Sequence, residues 1–380
     1  MILSNEQTLF MFYSIFVLTI GIGICIDYIL SIKISKEAIR INKKKIGIII
    51  NKKILDQYLK YIIIPFFLIF ISFLRNYSVG TDTQNYLYIF HNLSNFTSGI
   101  KEPINYYVNY IIHILTDNYS IVILIGSIIT HVLIFKSIDY YLTGKLKYLS
   151  VWIYCCLYYL LTYNISRQLI ALSIIFYALQ FILKKDLKKY LLCCLIATCI
   201  HNTAVICTVF YFVNFFDRFK KKQPKYLYYL FILILSFISA PLMSFILNKL
   251  IFWNNYSFSS TFKFGFLWEY RFVLILIFLV ECNIIKVTDK NYTFLQRIFL
   301  ITIPLRTLGY GDPVFMRIAL FTDIIQILLI PLIIGSISNK KMKVLISILA
   351  IIFFAYQFYY NFYLANTGEV FPYILGGNNV

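Results

Sequence analysis

Charge is what this chain is short of. Only 13% of its 380 residues are Asp, Glu, Lys or Arg, against 60% hydrophobic and 19% aromatic. A soluble globular chain carries about a quarter charged residues, so a water-soluble fold is excluded and an all-α polytopic membrane protein is indicated. Acidic residues are scarcest: 16 face 35 basic ones, a formal net charge of +19. Such an excess can mark a nucleic-acid binder. Here, however, the basic residues fall in short clusters between apolar spans, where they act as topology determinants, and nucleic acid is set aside as a partner. Cysteine pairs of the CxxC type and His at zinc-ligand spacing are also lacking. The eight cysteines (25, 155, 156, 193, 194, 199, 207 and 282) lie in or beside apolar stretches and read as small hydrophobes. No metal triad, nucleophile elbow or nucleotide-phosphate loop is present, so no metal or other cofactor is expected. No cleavable signal is evident either, because the first apolar run is too long and has no small-residue cleavage site; it should stay as a span. Heavy use of Ile, Asn, Lys, Tyr and Phe looks like coding bias, which leaves single Tyr or Asn residues uninformative. With no convincing repeat or boundary, the chain reads as one multispanning domain over 1–380.

Crossing a bilayer as a helix takes roughly 20 apolar residues, and the spans are placed by where lysine accumulates. Leu9 to Ile32 is the first. The densest basic tract follows, through Lys33, Lys43, Lys44, Lys45, Lys52, Lys53 and Lys60, which makes 33–60 a cytoplasmic loop and puts the N-terminus outside. Tyr61 to Leu74 then rises to an outer-face loop over 75–118. Within it, Tyr86, Phe90 and Leu93 recur at helical spacing, the mark of an amphipathic helix at the interface, and Pro103 suits the first turn of a second helix. Ser120 to Phe135 runs inward, Leu149 to Leu161 outward and Gln168 to Leu183 inward. The piece from Tyr190 to Phe216 has lysines at both ends. It is either a re-entrant hairpin, two arms of about eleven residues rising about 16 Å to His201, or one long tilted helix that breaks the charge rule. Further spans are Tyr226 to Leu247, Arg271 to Ile285, Tyr292 to Leu305, Ile318 to Ile337 and Val344 to Leu364. The total is about ten to twelve membrane helices, with the C-terminus also outside.

The centre of this arrangement is the polar turn Arg75-Asn76-Tyr77-Ser78-Val79-Gly80-Thr81-Asp82-Thr83. Gly before Thr-Asp gives a tight turn whose hydroxyl and carboxylate can cap the next helix and leave N–H groups and an arginine facing outward, a cradle for an anion. The plainer reading is that Asp82 only caps and Arg75 only snorkels. The other arginines bear on the choice. Of 27 lysines only Lys101, Lys249 and Lys263 come out external, whereas five of eight arginines do: Arg75, Arg167, Arg271, Arg306 and Arg317. A guanidinium binds phosphate bidentately and keeps its charge, so this break with the positive-inside trend points to an anionic ligand, a phosphate or pyrophosphate head group at the outer leaflet. Each arginine taken singly reads equally well as snorkelling. Candidate groups for taking a proton from a hydroxyl on that side are Asp82, His201, Glu102 and Asp312. Asp82 could orient an acceptor, accept its proton or pair with Arg75. His201 reads as readily as a hydrogen-bonded core histidine, and His91, His113 and His131 read as structural.

Arg75 with Gly80-Thr81-Asp82-Thr83 and Tyr86, then Glu102, then Arg167-Gln168-Leu169-Ile170-Ala171, then Ala197 through His201 with Thr203-Ala204, and late Arg317-Ile318-Ala319, resemble in order and spacing the EpsG-like exopolysaccharide polymerases, a branch of the Wzy-type polymerases. The match covers roughly 60 to 340. Gly309 to Pro313 has no counterpart in the pattern, which leaves Arg306 and Asp312 unsupported by it. The resemblance implies a metal-independent glycosyltransferase of the GT-C type in the bacterial plasma membrane. It would polymerise oligosaccharide repeat units carried on undecaprenyl pyrophosphate into capsular, exopolysaccharide or O-antigen chains. Membrane lipids, a flippase and a chain-length regulator are the partners that go with this activity. In that picture Arg75, Arg167 and Arg317 hold pyrophosphate, Asp82 or His201 assists the attacking hydroxyl, and Glu102, Arg271, Arg306 and Asp312 are secondary candidates. Two other classes would also want arginine and histidine. A lipid-linked saccharide flippase needs its cations in a cavity open to both leaflets in turn, and a membrane O-acyltransferase needs its histidine reachable from the cytoplasm.

Overall fold

Helix accounts for nearly all the regular structure in the computed structural model of the chain, which describes residues 1–38, 60–96, 102–214, 267–309 and 313–376. Among these residues the only extended pairings are two isolated bridges, Ile2 with Ile374 and Arg75 with Leu375. Among the described residues five helices are long and apolar enough to cross a membrane: Asn5–Leu30, Ser120–Tyr141, Ser166–Leu183, Val314–Gly335 and Lys340–Leu364. The chain is thus an all-α polytopic membrane protein. Most of the expected 33–60 loop, the expected span at 226–247 and Asp312 lie outside the described residues.

The described residues form two compact units, 1–173 with 351–380, and 174–350. In the first, α1 (Asn5–Ala38), α2 (Phe66–Leu74), α3 (Thr83–His91), α4 (Pro103–Leu115), α5 (Ser120–Tyr141), α6 (Leu146–Leu157) and the start of α7 (Ser166–Leu183) are joined by the end of the late helix Lys340–Phe358 and by the tail. The second expected span is interrupted at Pro65, which has no N–H to donate: helix over 60–63 gives way to a turn at 64–65 and resumes at Phe66. The core is aromatic. Phe12 of α1 packs within 6.4 Å, ring to ring, of Phe16, Tyr159, Tyr163, Phe358, Phe371 and Tyr373.

Polar contacts mark the two ends of this unit. At one end Asp27 of α1 and Asp139 of α5 meet Lys60 and Lys147, with Tyr61 donating to Asp139 at 2.9 Å and Tyr148 to Asp27. At the other, Tyr77 bonds Ser120 at 3.1 Å, Leu3 donates to the Tyr373 carbonyl at 3.0 Å and Asn76 to that of Ile374 at 2.9 Å. The N-terminus, the tail and the turn after Arg75 therefore share one end. The lysines before the second span and after the third share the other, which is the relative sidedness that lysine placement implies.

The second unit holds the rest of α7, then α8 (Leu187–Ile200), a 3-10 helix (Asn202–Asn214), α9 (Leu267–Glu281), α10 (Tyr292–Leu300), α11 (Thr302–Gly309), α12 (Pro313–Asp323), α13 (Gln326–Gly335) and the start of α14 (Lys340–Phe358). His201 interrupts the helix at φ −151°, ψ 115°. From there the chain doubles back: Tyr190 Oη donates to the Cys207 carbonyl at 2.5 Å, and the Tyr190 and Tyr211 rings lie 6.2 Å apart. The segment is a hairpin rather than one tilted helix. Its arms are unequal in kind, fourteen α-helical residues against thirteen in a 3-10 helix, so they reach about 21 and 26 Å at their respective rises. Asp186 caps α8 by accepting from the Lys189 N–H at 3.1 Å.

Candidate functional site

The polar turn after α2 folds as a tight turn because Gly80 adopts φ +95°, which L side chains rarely enter. The space requires glycine too. A Cβ there would stand 2.9 Å from both the Tyr163 carbonyl oxygen and Asn164 Oδ1. The reason is that the turn lies directly on the corner between α6 and α7. Thr83 Oγ1 donates to the Tyr163 carbonyl at 3.0 Å, and Thr81 Oγ1 to Asn164 Oδ1 at 3.1 Å. From beneath, the tail straps the same turn: the Gly80 and Thr81 N–H groups donate to the carbonyls of Glu369 and Gly368 at 3.1 and 3.2 Å. Three segments far apart in sequence thus meet.

Arg75 ends α2 and is buried, at 2% exposure. Its guanidinium lies over the Tyr163 ring, Cζ to centroid 4.3 Å. Burial pushes its pKa down from the ordinary arginine value, while Tyr163, Tyr119, Tyr373 and Tyr159 act in the opposite direction. An arginine begins so high that it remains a cation throughout. Tyr163 is itself held by Tyr159, hydroxyl to hydroxyl at 2.8 Å, and Tyr159 donates to the Leu68 carbonyl of α2 at 2.8 Å. Hydrogen bonds thus tie the ring beneath Arg75 back to α2.

Arg167 opens α7 three residues after Asn164. One Nη1 hydrogen bond of 2.6 Å joins it to Glu102, which stands just before α4, and its Cζ lies 4.9 Å from the Tyr86 ring centroid on α3. Arg167 keeps 32% side-chain exposure, and its Nε is a buried donor with no hydrogen-bond partner. Arg167 is therefore the arginine of this pair with a face toward solvent. Glu102, expected among the proton acceptors, is committed to it.

Asp82 occupies the N-cap position of α3 with helical backbone angles, φ −92°, ψ −13°, and makes no capping hydrogen bond. The expectation that its carboxylate caps the helix is corrected. The backbone has already turned helical at Asp82, so its side chain does not reach back over the first turn. The Thr83 hydroxyl is likewise spent on the Val79 and Tyr163 carbonyls. Asp82 is half-buried and left with a carboxylate that nothing among the described residues engages. It sits between Gly80, which touches the Tyr163 carbonyl, and Tyr86, which stacks on Arg167. Arg75, Asp82, Glu102 and Arg167 are thus brought into one assembly through Tyr163, Asn164 and Tyr86.

The remaining candidates belong to the second unit. His201 forms the bend of the hairpin and is part-buried. Arg317 lies in the exposed second turn of α12, and Arg271 stacks on Trp268 of its own helix at 4.1 Å. Arg306 does not stand on an outer polar turn. It lies inside α11, with Nη2 bonded at 2.7 Å to Asp323 at the end of α12 and its guanidinium over Tyr270, whose hydroxyl donates to the same Asp323 at 2.8 Å. With Asp323 1% exposed, this is an ion pair inside the unit rather than an open anion site. Sequence reasoning passed over Asp323, and also the four tyrosines and Asn164 that seat the arginines, because a chain rich in Tyr and Asn hides the few that matter. The spacing of Tyr159, Tyr163 and Arg167, each four apart, was the available signal.

One buried and one part-exposed arginine thus stand at one end of an apolar helical bundle, near a carboxylate that no described residue engages, in a membrane-embedded protein. The model of the EpsG family matches residues 58–375. The chain belongs to that family, as the motifs from Arg75 to Arg317 anticipated, and polysaccharide biosynthesis in the membrane is the work the family indicates. Neither a curated protein nor a solved structure matches it.

Proposed function

We propose that this protein polymerises oligosaccharide repeat units carried on undecaprenyl pyrophosphate, at the outer leaflet of a bacterial plasma membrane and without a metal in the reaction. The observation that carries this reading is the joining of Arg75, Asp82 and Arg167 through one contact between two turns, with 32% of the Arg167 side chain exposed. Arg167 contacts the pyrophosphate directly, since it alone of the two has an accessible face. Arg75 supports it from below, as a fixed positive charge in a low-dielectric setting where its field is weakly screened. The hydroxyl oxygen of the incoming unit forms a bond to the anomeric carbon of the growing chain. The bond from that carbon to the pyrophosphate oxygen breaks, its electron pair leaves on undecaprenyl pyrophosphate, and the hydroxyl proton passes to Asp82. His201 is the alternative base, and Arg317 the third phosphate contact carried over from the family pattern. Arg271 is a weaker candidate, and Arg306 weaker again because Asp323 holds it.

Substituting Arg75→Ala, Arg167→Ala or Asp82→Ala should leave the protein in the membrane but abolish long polysaccharide, with single repeat units accumulating on their lipid carrier. Wild-type chain lengths in all three variants would reject the site.

A further inference from the structure

α3 and α4, the two helices that flank Arg167 with Tyr86 and Glu102, carry a second cluster at their far ends. His91 is the last residue of α3, His113 lies in the last turn of α4, and Asp117 follows two residues after that helix ends. One ligand atom from each, two imidazole nitrogens and a carboxylate oxygen, lie within 4.8 Å of one another. His113 Nδ1 is 3.3 Å from Asp117 Oδ1. Two ligands bound at about 2.0–2.1 Å to one tetrahedral zinc stand about 3.4 Å apart, so this edge needs no movement.

The imidazoles are held in place from below. Phe90, with no exposed surface, puts its ring 5.3 Å from His91 and 5.0 Å from His113, and belongs to an apolar cluster with Tyr77, Ile112, Tyr119 and Ile123. The two imidazole centroids are 5.9 Å apart, at 81° to each other. A salt bridge alone would need only His113 and Asp117, four apart in sequence. His91 comes from a different helix, and its arrival turns a local pair into a chelating set.

We propose that His91, His113 and Asp117 form a binding site for a divalent transition-metal ion of the zinc class, fastening the end of α3 to the end of α4. Two imidazoles and one carboxylate suit zinc, cobalt, nickel or copper, whereas magnesium and calcium prefer all-oxygen sets. Asp117 keeps 83% and His113 34% side-chain exposure, so solvent fills the remaining coordination position. The ion takes no part in transferring sugar. It restrains the two helices whose other ends present Tyr86 and Glu102 to Arg167.

The test is a titration of the purified full-length protein in detergent micelles with Co2+, read by its visible ligand-field absorption and followed by displacement with Zn2+. One equivalent should bind with the spectrum of a four- or five-coordinate ion and be displaced by Zn2+ but not by Mg2+. His91→Ala and His113→Ala should each weaken binding at least about tenfold, equivalent to about 1.4 kcal/mol. His91 is exposed and ends its helix, so His91→Gln keeps the fold and tests the ligand alone. Unchanged Co2+ binding in the His91→Ala, His113→Ala double variant, or no saturable binding in the wild type, would overturn the proposal. Neither result bears on polymerisation, which is read separately by chain length.

Discussion

Exchanging the charges of Arg167 and Glu102 separates a structural ion pair from a ligand site. The pair is 2.6 Å long, with the arginine 32% and the carboxylate 13% exposed. A hydrogen bond between charged groups contributes roughly 1.5–3 kcal/mol, and this much solvent access argues for the low end, about 1.5 kcal/mol. Stacking on Tyr86 at 4.9 Å adds about 0.5 kcal/mol at a part-exposed site. Arg167→Ala should therefore cost about 2 kcal/mol, and Glu102→Ala slightly less because the stack survives. Combining Glu102→Arg with Arg167→Glu rebuilds the pair in reverse. Stability, measured as thermal unfolding in detergent, should return to within about 1 kcal/mol of wild type, the remaining loss being the stack. Polysaccharide length, measured on gels of cell extracts, should not return, because the positive charge has moved from the start of α7 to the start of α4, away from Asn164 and the turn that bears Asp82. Wild-type chain lengths in the exchanged protein would refute a ligand role for Arg167 and leave the pair purely architectural.

Gly80→Ala should destabilise the protein by about 2 kcal/mol or more, since φ +95° disfavours an L side chain by about 1–2 kcal/mol and the new Cβ would press on the Tyr163 carbonyl at 2.9 Å; a variant as stable as wild type in a denaturation series would show that the turn can move off the corner. Glu269 has its pKa raised, chiefly by burial and further by Asp323, with Arg306 opposing. A carboxyl raised on folding stabilises below its unfolded pKa and loses that contribution as pH rises through the folded one, so Glu269→Gln should raise the unfolding temperature at pH 7 and leave it unchanged in acid. An equal shift at both pH values would contradict this.

Much of the fold was legible because membrane crossing and charge placement are one-dimensional signals. Five of the expected spans, the first, third, fifth and last two, coincide with helices long enough to cross, and the hairpin bend falls at His201, where lysines on both flanks required the chain to return. What failed needed the third dimension. Nothing in the local sequence says that Asp82 will already be helical and so unable to cap. Nor could seventeen residues of separation disclose that Arg306 is held by Asp323. The turn around Gly80 was readable from Gly-Thr-Asp, yet not the tail that underpins it, because a backbone strap of Gly368 and Glu369 leaves no periodic mark.

The distribution of lysine and arginine between the two ends of the first unit has a physical logic beyond topology. At the lysine end, Lys60 and Lys147 meet Asp27 and Asp139, each ammonium next to a carboxylate, so charge is neutralised pair by pair. An ammonium is a compact, strongly hydrated charge, and burial demands such a partner. At the arginine end, Arg75 is buried against the face of Tyr163 with Tyr119, Tyr159 and Tyr373 around it, a setting that a weakly hydrated planar cation tolerates through stacking. Arg167 at the same end combines both modes, bonded to Glu102 and lying over the Tyr86 ring. Replacing Arg75 by lysine should therefore lower the unfolding temperature in detergent, because a strongly hydrated ammonium is less suited than a planar guanidinium to burial against the Tyr163 ring; an unchanged unfolding temperature would refute this.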